Sequence, residues 1–217
     1  MIRPLAALFL LLATAAPLAA QSFDTRAAAA YVIDHTTGTV LLEKNADDPL
    51  PPASMSKLMT LFMAFEAINP LNGQNPILTV DDVLPVSQHC MDYTGSTMFL
   101  DTTDRVSVED LLRGIIVLSG NDASCVIAEG LSRNGSEAGF AQQMTVRAQE
   151  LGMMNSSFAN SNGWPAAGQR MSMRDLGILA DRLITDYPTF YPLFAETEFD
   201  YDGEHPDNRR NRNPLLG

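Results

Sequence analysis

From Ser54 to Ile68 almost every position is apolar. Met55, Leu58, Met59, Leu61, Phe62, Met63 and Phe65 fall on all sides of a helical wheel, and Asn69-Pro70 closes the run. A helix without a polar face belongs in the interior, packed all round. Upstream, Ala27–Val32 and Ile33-Asp34 lead through His35-Thr36-Thr37-Gly38 into Thr39–Leu42. Two β-rich runs around a Thr-Gly turn predict a hairpin. Asn45–Pro52 is a polar loop, and Gly73–Pro85 is a turn-rich connection. Ser107 followed by Asp110 resembles a capping box and predicts a helix that stops at Ser119-Gly120-Asn121. Helix resumes over Ala123–Leu131, breaks at Asn134-Gly135, and returns over Ser136–Leu151 before Gly152. A second Ser/Asp pair, Ser172 and Asp175, starts a helix to about Ile184. The order is one hairpin followed by a helical block, an α+β arrangement. A two-stranded hairpin is not independently stable, so something must complete its sheet.

The first twenty residues follow a different pattern. Arg3 precedes an apolar run through Leu8–Leu12, and Pro17-Leu18-Ala19-Ala20 ends in small residues. This predicts a signal peptide over residues 1–20 and an exported, periplasmic mature chain from residue 21. The apolar run is too short for a membrane span, and no later segment is long enough. The 217 residues fit about one domain, and 46% hydrophobic content supports a packed core. A net charge of -12 argues against nucleic acid as a partner. Two cysteines, Cys90 and Cys125, are too few for a four-cysteine zinc site. Export permits a disulfide between them; a buried thiol at Cys125 is the other reading, and both stand open.

The chain holds only two lysines, Lys44 and Lys57. Lys57 lies three residues after Ser54, one turn along the apolar helix, so the two side chains share a face. Burial disfavours a charged amine, and so does a helix N-terminus. Both effects favour the neutral form that a general base for a serine hydroxyl requires. The bland alternative is a Ser cap followed by a lysine that snorkels to solvent. Ser119-Gly120-Asn121, a polar corner between two apolar helical runs, is the second candidate. Taken alone it reads as an ordinary turn with Asn121-Asp122 as a cap. His35, His89 and His205 sit in loop or turn settings, and Trp164 in Asn162-Gly163-Trp164-Pro165 suits a rim or a half-buried loop. No Gly-x-Ser-x-Gly, His-Glu-x-x-His or phosphate-loop motif is present.

Taken in order, these stretches resemble the serine D-alanyl-D-alanine carboxypeptidases, the low-molecular-mass penicillin-binding proteins. They are Ala53–Thr60 with Ser54-Met55-Ser56-Lys57, Gly95–Leu100, Ser107–Gly114 running into Ser119–Ala123, Asn160–Gly163, and Ser172–Leu176. The resemblance covers the mature chain from about Ala28. It implies the penicillin-binding/serine β-lactamase-like transpeptidase fold and an acyl-enzyme mechanism on the peptidoglycan stem peptide. By that resemblance Ser54 attacks the carbonyl between the terminal D-alanines, with its backbone N–H forming half of an oxyanion hole. Lys57 takes the proton and later activates water. Ser119 relays a proton to the departing amine, and Asn121 holds the substrate amide and orients Lys57. β-Lactams acylate the same serine. No metal or organic cofactor is implied.

One expected element is missing. The family carries a Lys-Thr-Gly or Lys-Ser-Gly motif on a sheet strand, and this sequence has neither. In relatives that motif follows a segment like Asn211–Gly217. The expectation is therefore a catalytic domain over residues 21–217 that is incomplete at its C-terminal end, lacks later sheet strands and a membrane anchor, and is inactive alone. A serine β-lactamase or D,D-endopeptidase of the same fold is an alternative, although the Glu-x-x-Leu-Asn loop of class A β-lactamases is absent. A non-catalytic penicilloyl- or wall-binding module is the remaining one.

Overall fold

The computed structural model describes residues 25–216, so the expected signal peptide over residues 1–20 lies outside the described residues. Two strands, β1 (Ala30–Ile33) and β2 (Val40–Lys44), form the expected antiparallel hairpin, with Ala30 opposite Lys44 and an irregularity between Val32 and Ile33. The turn is fixed by Asp34, whose carboxylate accepts from Thr37 N–H and whose carbonyl accepts from Gly38 N–H. One side of the hairpin rests on the helical block. Tyr31 packs over Gly177, where a Cβ would stand 2.7 Å from the ring. Val32, Val40 and Leu41 of the hairpin are exposed.

The all-apolar segment is the central helix α1 (Lys57–Ile68), with Met59, Leu61, Phe62, Ala64 and Phe65 all buried. Its onset differs from the expectation. Ala53–Ser56 form a 3-10 turn, and the α-helix begins only at Lys57. The cause is upstream, where Ala53 takes a left-handed φ of 49°. That conformation is costly for a residue with a Cβ and sets Ser54 on a tight turn instead of a regular helical one.

The connection expected to be only turns contains β3 (Val83–Pro85), paired antiparallel with β4 (Arg105–Ser107) in a second two-stranded sheet. A short helix α2 (Gln88–Met91) lies between them. Then follow α3 (Val108–Val117), α4 (Asn121–Leu131), α5 (Glu137–Glu150) and α6 (Met173–Asp186). The capping signals at Ser107 and Ser172 are used as read, accepting from the N–H groups of Asp110 and Asp175, and Ser136 caps its helix likewise by accepting from Gly139 N–H. Cys90 on α2 and Cys125 on α4 form a disulfide, which decides between the two readings left open.

The core lies around α1 and α4. Tyr187, fully buried, meets Phe62 edge-on at 5.3 Å, and Phe65 stacks on Phe190 at 4.5 Å. Full burial of such side chains is worth roughly 1.5–3 kcal/mol each. No helix among the described residues is long and apolar enough to cross a membrane.

Candidate active site

Three segments meet around the Lys57 amine. Lys57 is 3% exposed, yet its Nζ has three partners: Ser54 Oγ at 3.0 Å, Asn121 Oδ1 at 2.8 Å and the Asn162 carbonyl at 2.9 Å. The buried apolar helix is why the lysine cannot snorkel. Burial lowers its pKa from 10.5 to about 8, against a smaller opposing pull from the Asp122 carboxylate. The partner set fixes how the neutral amine is arranged. Two of the three partners are carbonyl oxygens, which only accept. A neutral amine has two N–H donors and one lone pair, so the two carbonyls take the donors. The lone pair is left facing the one partner that can give a proton, the hydroxyl of Ser54. Ser54 is itself exposed, open to an incoming substrate.

The first corner is held by the loop at 159–163. Thr60 Oγ1 donates to the Ser161 carbonyl at 2.6 Å, and Gln169 Nε2 donates to Ser56 Oγ at 2.8 Å while its Oε1 accepts from the Ala159 and Asn160 N–H groups. Gly163, at φ +86°, lies against the carbonyl of Ala53, where a Cβ would come within 1.8 Å of the oxygen. Only glycine allows that approach. The strained residue before Ser54 and the glycine after Asn162 are thus in direct contact.

The second corner joins α3 to α4. Ser119 sits at φ 59°, a conformation forced by the sharp reversal between the helices. Its hydroxyl makes no hydrogen bond among the described residues. Asn121, at the first turn of α4, turns Oδ1 to Lys57, gives Nδ2 to the Thr94 carbonyl at 2.8 Å, and gives its backbone N–H to the Ser96 carbonyl at 2.8 Å. Asn121 and Asp122 do not cap α4 as an ordinary turn would; Gly120 stands at the cap without a side-chain bond. Asp122 instead accepts from the N–H groups of Met98, Leu100 and Ala123, which ties the 98–100 segment to α4 around the left-handed Phe99. Burial pushes the Asp122 carboxyl up, and those N–H bonds oppose it.

A hydroxyl hydrogen-bonded to a buried lysine on a strained turn, with an amide side chain fixing the amine, is the arrangement that serine acyl transfer requires. A profile described as D-alanyl-D-alanine carboxypeptidase matches residues 14–217. The chain belongs to the D-alanyl-D-alanine carboxypeptidase family. Its curated relatives include the carboxypeptidase DacF of Bacillus subtilis, 37% identical over 84% of this chain, and DacC of Escherichia coli, 35% identical over 91%. Among solved structures, penicillin-binding protein 5 of Haemophilus influenzae superposes with a TM-score of 0.82 at 30% identity, over 91% of this chain and 55% of that one. Penicillin-binding protein 6B of Escherichia coli gives 0.81 at 33%, over 92% and 62%. The penicillin-binding transpeptidase fold follows. The chain spans 45% and 48% of the lengths of DacF and DacC, about half of each.

Ser54, Lys57 and Asn121 are thus brought together as the sequence suggested, and Ser119 stands two residues before Asn121 on the same corner. The histidines stand apart from the Lys57 amine's partners: His35 pairs with Asp181, His89 with Glu137, and His205 packs on Phe99. His89, Cys125 and Glu129 bring potential metal-ligand atoms within 4.8 Å of one another, but the Cys125 sulfur is committed to the disulfide. Trp164 is a half-exposed rim residue in edge contact with Tyr93. The sequence reading missed the carbonyls of Thr94, Ser96 and Asn162. Backbone acceptors leave no side-chain signature; Gly163, beside Asn162 and against the Ala53 carbonyl, reads in the sequence as an ordinary loop glycine.

Proposed function

We propose that the protein containing these residues is an exported serine D-alanyl-D-alanine carboxypeptidase that removes the terminal D-alanine from peptidoglycan stem peptides. The observation that carries this reading is the buried Lys57 amine, with two carbonyl acceptors and one hydroxyl partner. Ser54 Oγ attacks the carbonyl carbon of the penultimate D-alanine while its proton passes to Lys57 Nζ. The peptide C–N bond then breaks. The leaving amine takes a proton relayed through the Ser119 hydroxyl and departs as D-alanine. Water next attacks the Ser54 ester, giving one proton to Lys57; the ester C–O bond breaks and Ser54 recovers its hydrogen. The Ser54 backbone N–H stabilises the oxyanion. Asn121 holds Lys57 and the substrate amide. β-Lactams enter the same path and stop at the acyl-enzyme, which is the chemistry that the ampicillin- and cefotaxime-bound structures of penicillin-binding protein D2 from Listeria monocytogenes suggest. The apolar leader and the disulfide both fit the periplasm.

The test is D-alanine release from a pentapeptide stem mimic by the longest reading frame that contains this sequence. Release by the wild type and its loss in Ser54→Ala are expected. Undiminished release by Ser54→Ala would refute the reading.

A further inference from the structure

Glu137 is a buried carboxylate that the acyl-transfer steps do not use. It occupies the first position of α5 but accepts nothing from that helix, which Ser136 already caps. Its side chain is 5% exposed. Isolating a carboxylate from water is costly unless strong donors surround it. Here they come from two other segments. Oε1 accepts from Ser161 N–H at 3.0 Å and from Ser161 Oγ at 2.5 Å. Oε2 accepts from Tyr93 Oη at 2.7 Å and contacts His89 Nε2 at 2.9 Å.

The positions of these donors matter. The residue after Tyr93 is Thr94, whose carbonyl fixes the Asn121 amide. The residue after Ser161 is Asn162, whose carbonyl fixes the Lys57 amine. One carboxylate therefore grips both strips of backbone that hold the nucleophile's base and its amide partner. The two strips also touch through the Tyr93 and Trp164 rings at 6.1 Å. We infer that Glu137 is a positioning residue, which clamps the Tyr93-Thr94 and Ser161-Asn162 segments at one spacing and so aligns Asn121 with Lys57. This rests on the proposal that Ser54 and Lys57 form the reaction centre.

The consequence falls on the Lys57 amine. Its depressed pKa arises first from exclusion of water, with Asp122 the opposing charge. Freeing the Asn162 segment opens one wall over the amine and admits water, so the amine must titrate higher. A 13C-lysine NMR titration of the longest reading frame that contains this sequence follows Lys57, which Lys57→Arg assigns by removing its signal. In the wild type its midpoint is expected near 8. In Glu137→Ala it should rise by a unit or more toward 10.5, and Glu137→Gln, which keeps one acceptor oxygen, should restore part of the shift. Tyr93→Phe and Ser161→Ala, each removing one arm, should give smaller shifts of the same sign. A folded Glu137→Ala chain with the wild-type midpoint would overturn the inference, because a purely structural carboxylate would lower the melting temperature and leave Lys57 unmoved. Should that variant not fold, unmoved midpoints in both single-hydroxyl variants would overturn it equally. A wild-type midpoint near 10.5 would instead sink the reaction-centre reading itself.

Discussion

Lys57 faces two opposing demands: a lysine amine is a cation by default, and the proposed role needs it as a base. Burial resolves the conflict by bringing its pKa to about 8. The amine loses its proton as pH rises through that value, so acylation of Ser54 should climb with pH and level off above about 8. A stopped-flow series with a chromogenic β-lactam on the longer protein checks this; a rate flat from pH 6 to 10 would contradict it. Lys57→Arg keeps charge and length, but a guanidinium stays protonated and cannot accept. Loss of roughly 10²–10⁴-fold in acylation is expected, the usual worth of a general base. The Ser54–Lys57 pair was legible in the sequence because a lysine in an apolar helix conflicts with its surroundings. Glu137 was not, since an acid at the start of a helix is the most ordinary place for one; its distinction lies in Ser161 and Tyr93, 24 and 44 residues away along the chain.

The elements followed the hydrophobic pattern where it was long and capped. α1, α3, α5 and α6 lie where apolar runs and Ser caps put them. The β3–β4 pair escaped notice because three-residue strands carry no period to read, and their pairing joins segments separated by α2. The 3-10 turn at Ala53–Ser56 escaped for another reason: its strain is imposed by the contact with Gly163, not by local propensity. That contact gives a prediction. Gly163→Ala adds a Cβ that would meet the Ala53 carbonyl, in a backbone conformation that alanine resists. We expect a loss of at least about 2 kcal/mol in stability by urea unfolding, together with slower acylation because Asn162 moves with its neighbour. Unchanged stability would show that the loop and the Ser54 turn are not coupled. The disulfide links α2 to α4 across a sequence separation of 35 residues. Restricting a loop of that size is worth about 4 kcal/mol in the chain-entropy account, so dithiothreitol should lower the melting temperature of the wild type and leave a Cys90→Ser/Cys125→Ala double variant unaffected.

At the scale of the whole molecule, a helical block carries Ser54, Lys57, Ser119 and Asn121, and a hairpin carries the exposed apolar side chains of Val32, Val40 and Leu41. The chain spans about half of its curated relatives. The fold class was legible because the order of hairpin and helices is written in local patterns. The pairing of Lys57 with Asn121 was visible only through resemblance, and its contact with the Asn162 carbonyl was not visible at all, since no local pattern encodes contacts across 64 and 105 residues. Acylation is the event on which all of these features bear. The longer protein should therefore be incubated with a penicillin, digested, and its adduct located by mass spectrometry. The account predicts a single penicilloyl group on the peptide containing Ser54, absent after Ser54→Ala and formed far more slowly after Lys57→Arg. An adduct on any other residue, or labelling that survives Ser54→Ala or keeps its wild-type rate in Lys57→Arg, would contradict it.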